Sequence, residues 1–138
     1  MRQTLGMVEV DTRRKGLLEV TARIRGWLDA QRIDDGLLTI FCRHTSASLV
    51  IQENAAPAVR ADMEAYFDRI APESAAYAHD DEGPDDMPAH LRTALTGVQL
   101  SIPVIGGALS LGTWQGIYLF EHRTRPHRRS LALHLIGE

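Results

Sequence analysis

Three groups of side chains in this chain are equipped for chemistry. The first runs from His44 through Thr45, Ser46 and Ser48 to Asn54. It sets an imidazole beside small hydroxyls, with a terminal amide at the far end of a short apolar run. Hydroxyls of this size donate to ligand oxygens and leave the ligand room. An imidazole next to them can bind a metal or move a proton. A plainer role exists for the same residues: Thr45, Ser46 and Ser48 as turn formers, and Asn54 as the cap of a following helix.

The second group lies between Tyr77 and Leu91. His79 and His90 stand eleven residues apart, with five carboxylates between them. His90 falls in the first turn of a predicted helix, where the helix dipole disfavours imidazolium and favours the neutral ring a metal needs. Together His44, His79 and His90 would make a three-histidine metal site, most simply for zinc, with a position open to water or substrate. The carboxylates would orient the rings from behind. Linear spacing alone does not distinguish this from a solvated acidic loop.

The third group joins Thr113-Trp114-Gln115-Gly116 to the stretch from Glu121 to Arg129. Arg123, Arg125, Arg128 and Arg129 could grip a phosphate or carboxylate by forked hydrogen bonds, although a basic surface turn is the commoner outcome. Gln115 and Glu121 share a strand face but lie about 20 Å apart in a regular strand. One ion cannot take both from one chain, so a shared site would need a second subunit. His122, His127 and His134 are weaker candidates, with His134 read as a structural or surface imidazole.

Regular elements must hold these groups. Alternation over Gln3 to Thr12 predicts a first strand, and Leu17 to Val20 a short second one. Thr21 is placed to cap a helix from Ala22 to Gln31. After the Asp34-Asp35-Gly36 turn, Leu37 to Arg43 reads as a strand. Pro57 to Ile70 is the clearest helix, with Val59, Met63, Tyr66, Phe67 and Ile70 on one face. Pro72 to Pro84 reads as a loop. Met87 to Thr96 reads as a helix with Asp86 as N-cap, Pro88 in its first turn and Gly97 beyond its end. Gln99 to Ile105, a Gly106-Gly107 turn, a long strand from Ala108 to His122, and Arg129 to Ile136 complete the chain. No domain boundary appears, so residues 1–138 form one domain. The class is α+β: a mostly antiparallel sheet with about three helices.

The predicted long strand carries apolar residues on both faces, Trp114 among them. A chain of 138 residues has few means to cover both, so subunit association is the expected remedy. The composition, 44 % hydrophobic with a net charge of -3, suits a globular domain and argues against a general nucleic-acid surface. Cys42 is the only cysteine, so no internal disulfide can form. No run approaches the ~18 apolar residues of a membrane span, and Met1 to Thr4 lacks the apolar core of a signal peptide. A cytoplasmic location is the expectation.

Four stretches carry a family resemblance: HTSASLVIQEN from His44, DDMPAHL from Asp85, PVIGGALSLGTWQGIYLFEHR from Pro103, and the Pro-His-Arg-Arg turn from Pro126. They resemble the YjbQ family, the UPF0047 group often labelled secondary thiamine-phosphate synthase. The match spans nearly the whole chain. It implies an α+β fold, a homotrimer, and shared polar positions at His44, Thr45, Ser46, Asn54, His79, His90, Gln115, Glu121 and Arg129. Ala55-Ala56 stands where many relatives carry an aspartate, and Asp86-Met87-Pro88 and the C-terminal turn also depart from the commoner forms. The label implies joining an aminopyrimidine pyrophosphate to a thiazole phosphate. A cation or arginines would hold the leaving group, and Trp114 would wall the heterocycle.

Two functions follow as expectations. One is a small-molecule enzyme with weak thiamine-phosphate synthase activity at a histidine-rich zinc site near a subunit boundary. There His44, Gln115 and Glu121 would act in catalysis, and Thr45, Ser46, Ser48, Asn54, Trp114 and Arg129 would bind the substrate. The other is a non-catalytic homotrimeric module that binds a metal or an anionic ligand.

Overall fold

A computed structural model describes residues 1–138. Its strands are β1 (Arg2–Thr12), β2 (Gly16–Glu19), β3 (Gly36–Cys42), β4 (Ala47–Glu53), β5 (Gln99–Ile105), β6 (Ala108–Leu109), β7 (Gln115–Glu121) and β8 (His127–Gly137). Its helices are α1 (Thr21–Asp29), α2 (Pro57–Ile70) and α3 (Asp86–Thr96). Two antiparallel sheets form: a five-stranded one in the order β1-β8-β3-β5-β6, and a three-stranded one in the order β2-β7-β4.

One core explains the packing. Val10, Leu38, Ile40, Ile102, Leu131 and Leu133 of the large sheet meet Leu49, Ile117 and Leu119 of the small one, with Ile24 and Leu28 of α1. In β3 and β8 every second residue points into this core, the period-2 pattern of a sheet with one buried face. The two-residue turn between β5 and β6 uses Gly106 and Gly107 at φ 59° and 77°, a conformation glycine adopts without strain.

Three expectations about the elements are corrected. The strand expected from Ala108 to His122 is two strands in different sheets. Residues 110–114 carry the chain across, and the amide of Gln115 restarts it by donating to the Gly112 carbonyl. Thr21 does not cap α1 but is its first helical residue. Its hydroxyl donates to Glu19 and accepts from the Ile117 amide, which ties α1 to β7. Likewise, no side chain caps α2 or α3; Ala56 and Asp85 are their N-cap residues.

The apolar surface open to a partner therefore lies outside this segment. Both faces of β7 are covered within the chain, by the core on one side and by α2 on the other. Ile117 and Leu119 face the core, while Phe120 meets Phe67 of α2 edge-on at 5.3 Å. Besides scattered exposed residues such as Tyr66, Ile70 and Leu95, uncovered apolar side chains gather on the outer face of the large sheet. There Leu5, Met7, Leu37, Phe41, Ile105 and Ile136 are exposed. The register lines them up in rows, with Leu37 opposite Ile136 and both Met7 and Phe41 opposite Ala132.

Candidate functional site

A cluster of ligand atoms is built by the N-terminus of α3 and the loop before it. His79, Asp86 and His90 offer atoms that all lie within 4.8 Å of one another. Asp86 and His90 are four residues apart in the helix, so both project from one face. Asp86 Oδ2 lies 2.7 Å from His79 Nε2 and 3.2 Å from His90 Nε2. Its other oxygen accepts from Arg123 at 2.8 Å. Arg123 also donates to Asp85 and to the Glu82 carbonyl, so it pins the acidic loop to the end of β7.

The electrostatics follow from this geometry. Burial alone would raise the Asp86 carboxyl, but the His79 hydrogen bond and the His90 and Arg123 charges hold it below the usual range. His79 is pushed up, first by its hydrogen bond to Asp86. The His90 ring has a fixed tautomer. Its Nδ1 faces the Thr45 carbonyl at 3.0 Å, which can only accept, so Nδ1 carries the hydrogen. In the neutral ring Nε2 is then a lone pair aimed at a carboxylate. A proton or a cation must lie between them.

Beside this cluster lies a second, separate pocket of about 590 Å³ lined by His44, Thr45, Ser46 and Arg129, with Phe41 and Val98 as apolar walls. His44 follows the end of β3. The Ser130 amide donates to its Nε2 at 2.7 Å. The neutral ring must therefore carry its hydrogen on Nδ1, where it is a donor and not a metal ligand. Burial and then the Arg129 charge lower its pKa, which keeps the ring neutral. The expected third metal histidine is thus an N–H donor, and Asp86 takes the third place in the cluster. Aspartate four residues before a helical histidine is the signal that would have pointed to it.

Arg129 is buried against Glu121, donating Nε to Oε1 at 2.8 Å and Nη2 to Oε2. Nη2 also reaches the Ser46 hydroxyl at 3.0 Å, which leaves Nη1 without a protein partner. Glu121 accepts as well from Thr12 and from the His122 and Arg123 amides. Burial would raise its carboxyl, but the bonds from Arg129 and Thr12 outweigh that and lower it. Every lone pair of Glu121 is engaged, so it positions Arg129 and has none to spare as a base.

Four expected site residues lie elsewhere. Ser48 is fully buried on the far side of β4, 2.9 Å from His122 Nε2 and 2.6 Å from Thr96 Oγ1. Thr96 Oγ1 lies within donor reach of both the Ser48 hydroxyl and the Arg92 carbonyl, and its one hydrogen serves one of them; which of Ser48 and His122 donates to the other depends on the His122 tautomer. Burial and the Arg92 charge push the His122 pKa down to about 3. Asn54, Trp114 and Gln115 sit at the opposite end of the β4–β7 ladder, where Glu53 pairs with Gln115, while Ala47 pairs with Glu121 at the near end. Asn54 donates to Glu19, and Gln115 accepts from the Gly112 amide. Trp114 is 63 % exposed in the single chain.

Comparison with known proteins matches the chain to one family. The family model described as UPF0047 protein YjbQ-like matches residues 7–138. A UPF0047 protein of Synechocystis is 46 % identical over 138 residues, covering 99 % of this chain and 94 % of its own. The YjbQ protein of Salmonella typhimurium is 48 % identical over 120 residues, covering 87 % of this chain and 85 % of its own. Among solved structures, a YjbQ/UPF0047 protein of Clostridium acetobutylicum superposes with a TM-score of 0.84 at 30 % identity, covering 94 % of this chain and 99 % of its own. A YbjQ-like protein from Sulfolobus solfataricus, described as of unknown function, reaches a TM-score of 0.88 at 21 % identity, covering 99 % and 100 %, which bears on the fold alone. With matches of this extent, the chain belongs to the YjbQ/UPF0047 family.

Proposed function

We propose that this chain is a small-molecule enzyme that holds a divalent cation, zinc by its donor set, at His79, Asp86 and His90, and an anionic substrate group in the adjoining His44 pocket. The observation that carries this is the His90 tautomer. Thr45 fixes the hydrogen on Nδ1, and Nε2 faces the same point as Asp86 Oδ2 and His79 Nε2. A histidine whose second nitrogen is bonded to a backbone carbonyl is the usual orienting arrangement of a metal ligand. Bonds of about 2.0–2.1 Å in a tetrahedral site put ligand atoms roughly 3.3 Å apart. The His90–Asp86 spacing of 3.2 Å fits, and the His79–Asp86 spacing of 2.7 Å would have to open slightly.

The substrate side is a set of donors. His44 Nδ1–H, the Thr45 hydroxyl and Arg129 Nη1 would meet a phosphate or carboxylate, and Glu121 holds the guanidinium in place. Thr45 belongs to both halves, since its carbonyl orients His90 while its side chain lines the pocket. A weak thiamine-phosphate synthase reaction suits this layout. The C–O bond of the aminopyrimidine pyrophosphate breaks, a C–N bond to the thiazole phosphate forms, and pyrophosphate leaves. A bound cation would supply Lewis-acid stabilisation of that leaving group. Arg129 and His44 would hold its oxygens.

A binding role without turnover is favoured by one observation: Glu121 has no free lone pair, and His44 Nε2 is occupied by the Ser130 amide. Neither is available as a base. Under either role we propose a homotrimer. The exposed apolar rows on the outer face of the large sheet end at Phe41, which also walls the His44 pocket. A partner on that face would close the pocket at a subunit boundary.

Cobalt titration of purified, metal-free protein tests the cation site. We expect a saturable visible spectrum near one ion per chain, lost in His90→Ala and in Asp86→Ala. Absence of that spectrum in the wild type, or its survival in both variants, overturns the site. Product formation from the two heterocyclic substrates, beside Arg129→Lys, then separates enzyme from binding module.

A further inference from the structure

On the other side of the Glu121–Arg129 pair lies a pocket that the proposed function does not use. It measures about 300 Å³ and sits under the turn between β1 and β2. Arg13, Arg14, Lys15 and Arg23 line it, with Leu17 and Leu18 as an apolar wall and Asp11 and Glu121 as its carboxylates.

The charges in this pocket are not balanced. Glu121 is satisfied by Arg129, and Asp11 is paired with Arg128 at 3.1 Å. Lys15 is shared between Asp68 at 3.3 Å and Glu73 at 3.7 Å. Arg23 donates only to the Glu9 carbonyl at 3.1 Å. Arg13 and Arg14 have no hydrogen-bond or ion-pair partner in the protein. Three arginines thus line one pocket without a carboxylate of their own, on a chain whose net charge is -3. General basicity cannot account for that concentration. Like charges at a concave site repel one another, and an anion among them removes the repulsion. Arginine, with its planar fork of donors, suits the oxygens of a phosphate better than a lysine would.

We infer that this pocket binds a small organic phosphate, with the phosphoryl group among Arg13, Arg14 and Arg23 and the organic body against Leu17 and Leu18. The volume is at the low end of small-molecule sites, which favours a compact monoester over a polymer. The pocket is distinct from the His44 pocket, because the buried Glu121–Arg129 pair lies between them. It stands whether or not the metal cluster binds an ion.

Amide-resolved NMR titration of the full-length protein with inorganic phosphate and with phenyl phosphate tests the inference. We expect the Arg13 to Leu18 amides to shift saturably, with phenyl phosphate binding in the millimolar range or tighter and more tightly than inorganic phosphate. The double variant Arg13→Ala/Arg14→Ala alters only exposed turn residues and should weaken phenyl phosphate at least tenfold at this pocket. His90→Ala should leave these shifts unchanged, which separates the inference from the metal proposal. No saturable shift of these amides up to ~10 mM ligand, the weak limit of a meaningful site, would overturn it. Equal affinity in the double variant, equal affinity for the two probes, or binding of RNA without binding of phenyl phosphate would do the same.

Discussion

Acid should destabilise this protein through one histidine. His122 is fully buried, and its pKa is pushed down to about 3 by burial and by the Arg92 charge. In the unfolded chain the same ring titrates near 6.5. The folded value is the lower one, so this contribution to stability is intact above pH 6.5 and is lost as pH falls towards 3. At pH 4.5 the unfolded ring is almost wholly protonated and the folded ring almost wholly neutral. Two pH units at 1.36 kcal/mol each give a loss of about 2.7 kcal/mol relative to pH 7.5. The measurement is urea unfolding at both pH values and at one protein concentration, followed by tryptophan fluorescence, for the wild type and His122→Gln. Glutamine offers Ser48 a donor or an acceptor but does not titrate. Carboxylate contributions are common to both proteins and cancel in the comparison. The acid loss should be smaller in the variant by roughly 2–3 kcal/mol. Equal losses would mean that the buried ring finds a proton acceptor at Nδ1, and the network drawn around Ser48 would be wrong.

Other outcomes follow from the same structure. Glu121→Gln strands a buried guanidinium and should cost about 3–5 kcal/mol in a denaturation experiment; a change below ~1 kcal/mol would show that water reaches the pair. Cobalt binding should weaken as pH falls through the His79 pKa, which lies above 6.5, because protons compete for that ligand; affinity constant from pH 8 to 6 would refute it. Trp114→Ala should leave the unfolding midpoint nearly unchanged, within about 0.5 kcal/mol, since the ring is exposed. The wild type should sediment as the proposed trimer and Leu5→Glu/Phe41→Glu as a folded monomer; a wild-type monomer at micromolar concentration would remove the trimer.

Local patterns in the sequence were good guides wherever local physics decides the outcome. The apolar stripe with Pro57 at its start gives α2 its ends, and the glycine pair gives the β5–β6 turn. They failed where a distant partner decides. Apolar alternation runs from Ala108 to His122 almost without interruption because both sheets bury that kind of residue. Nothing in the alternation marks the step from one sheet to the other. The role of His44 turns on the Ser130 amide, 86 residues away, and no spacing rule reaches that far. The Asp86–His90 pair was legible, since helical geometry sets it. Arg123 was visible only as one arginine among four, and its choice of Asp85 and Asp86 belongs to the tertiary fold.

The place of β8 bears on how the chain is made. β8 lies between β1 and β3, so β1 has no neighbour in its sheet until β8 arrives. The paired residues are 115 to 135 positions apart, from Thr12 with His127 to Arg2 with Gly137. A nascent chain therefore carries an eleven-residue strand with two open edges through most of its synthesis. Leu5, Met7 and Val8 are part of that strand. Pairings this remote close slowly and leave strand edges free for the wrong partner. The ribosome-bound chain, more than the finished protein, is where a chaperone would find its substrate.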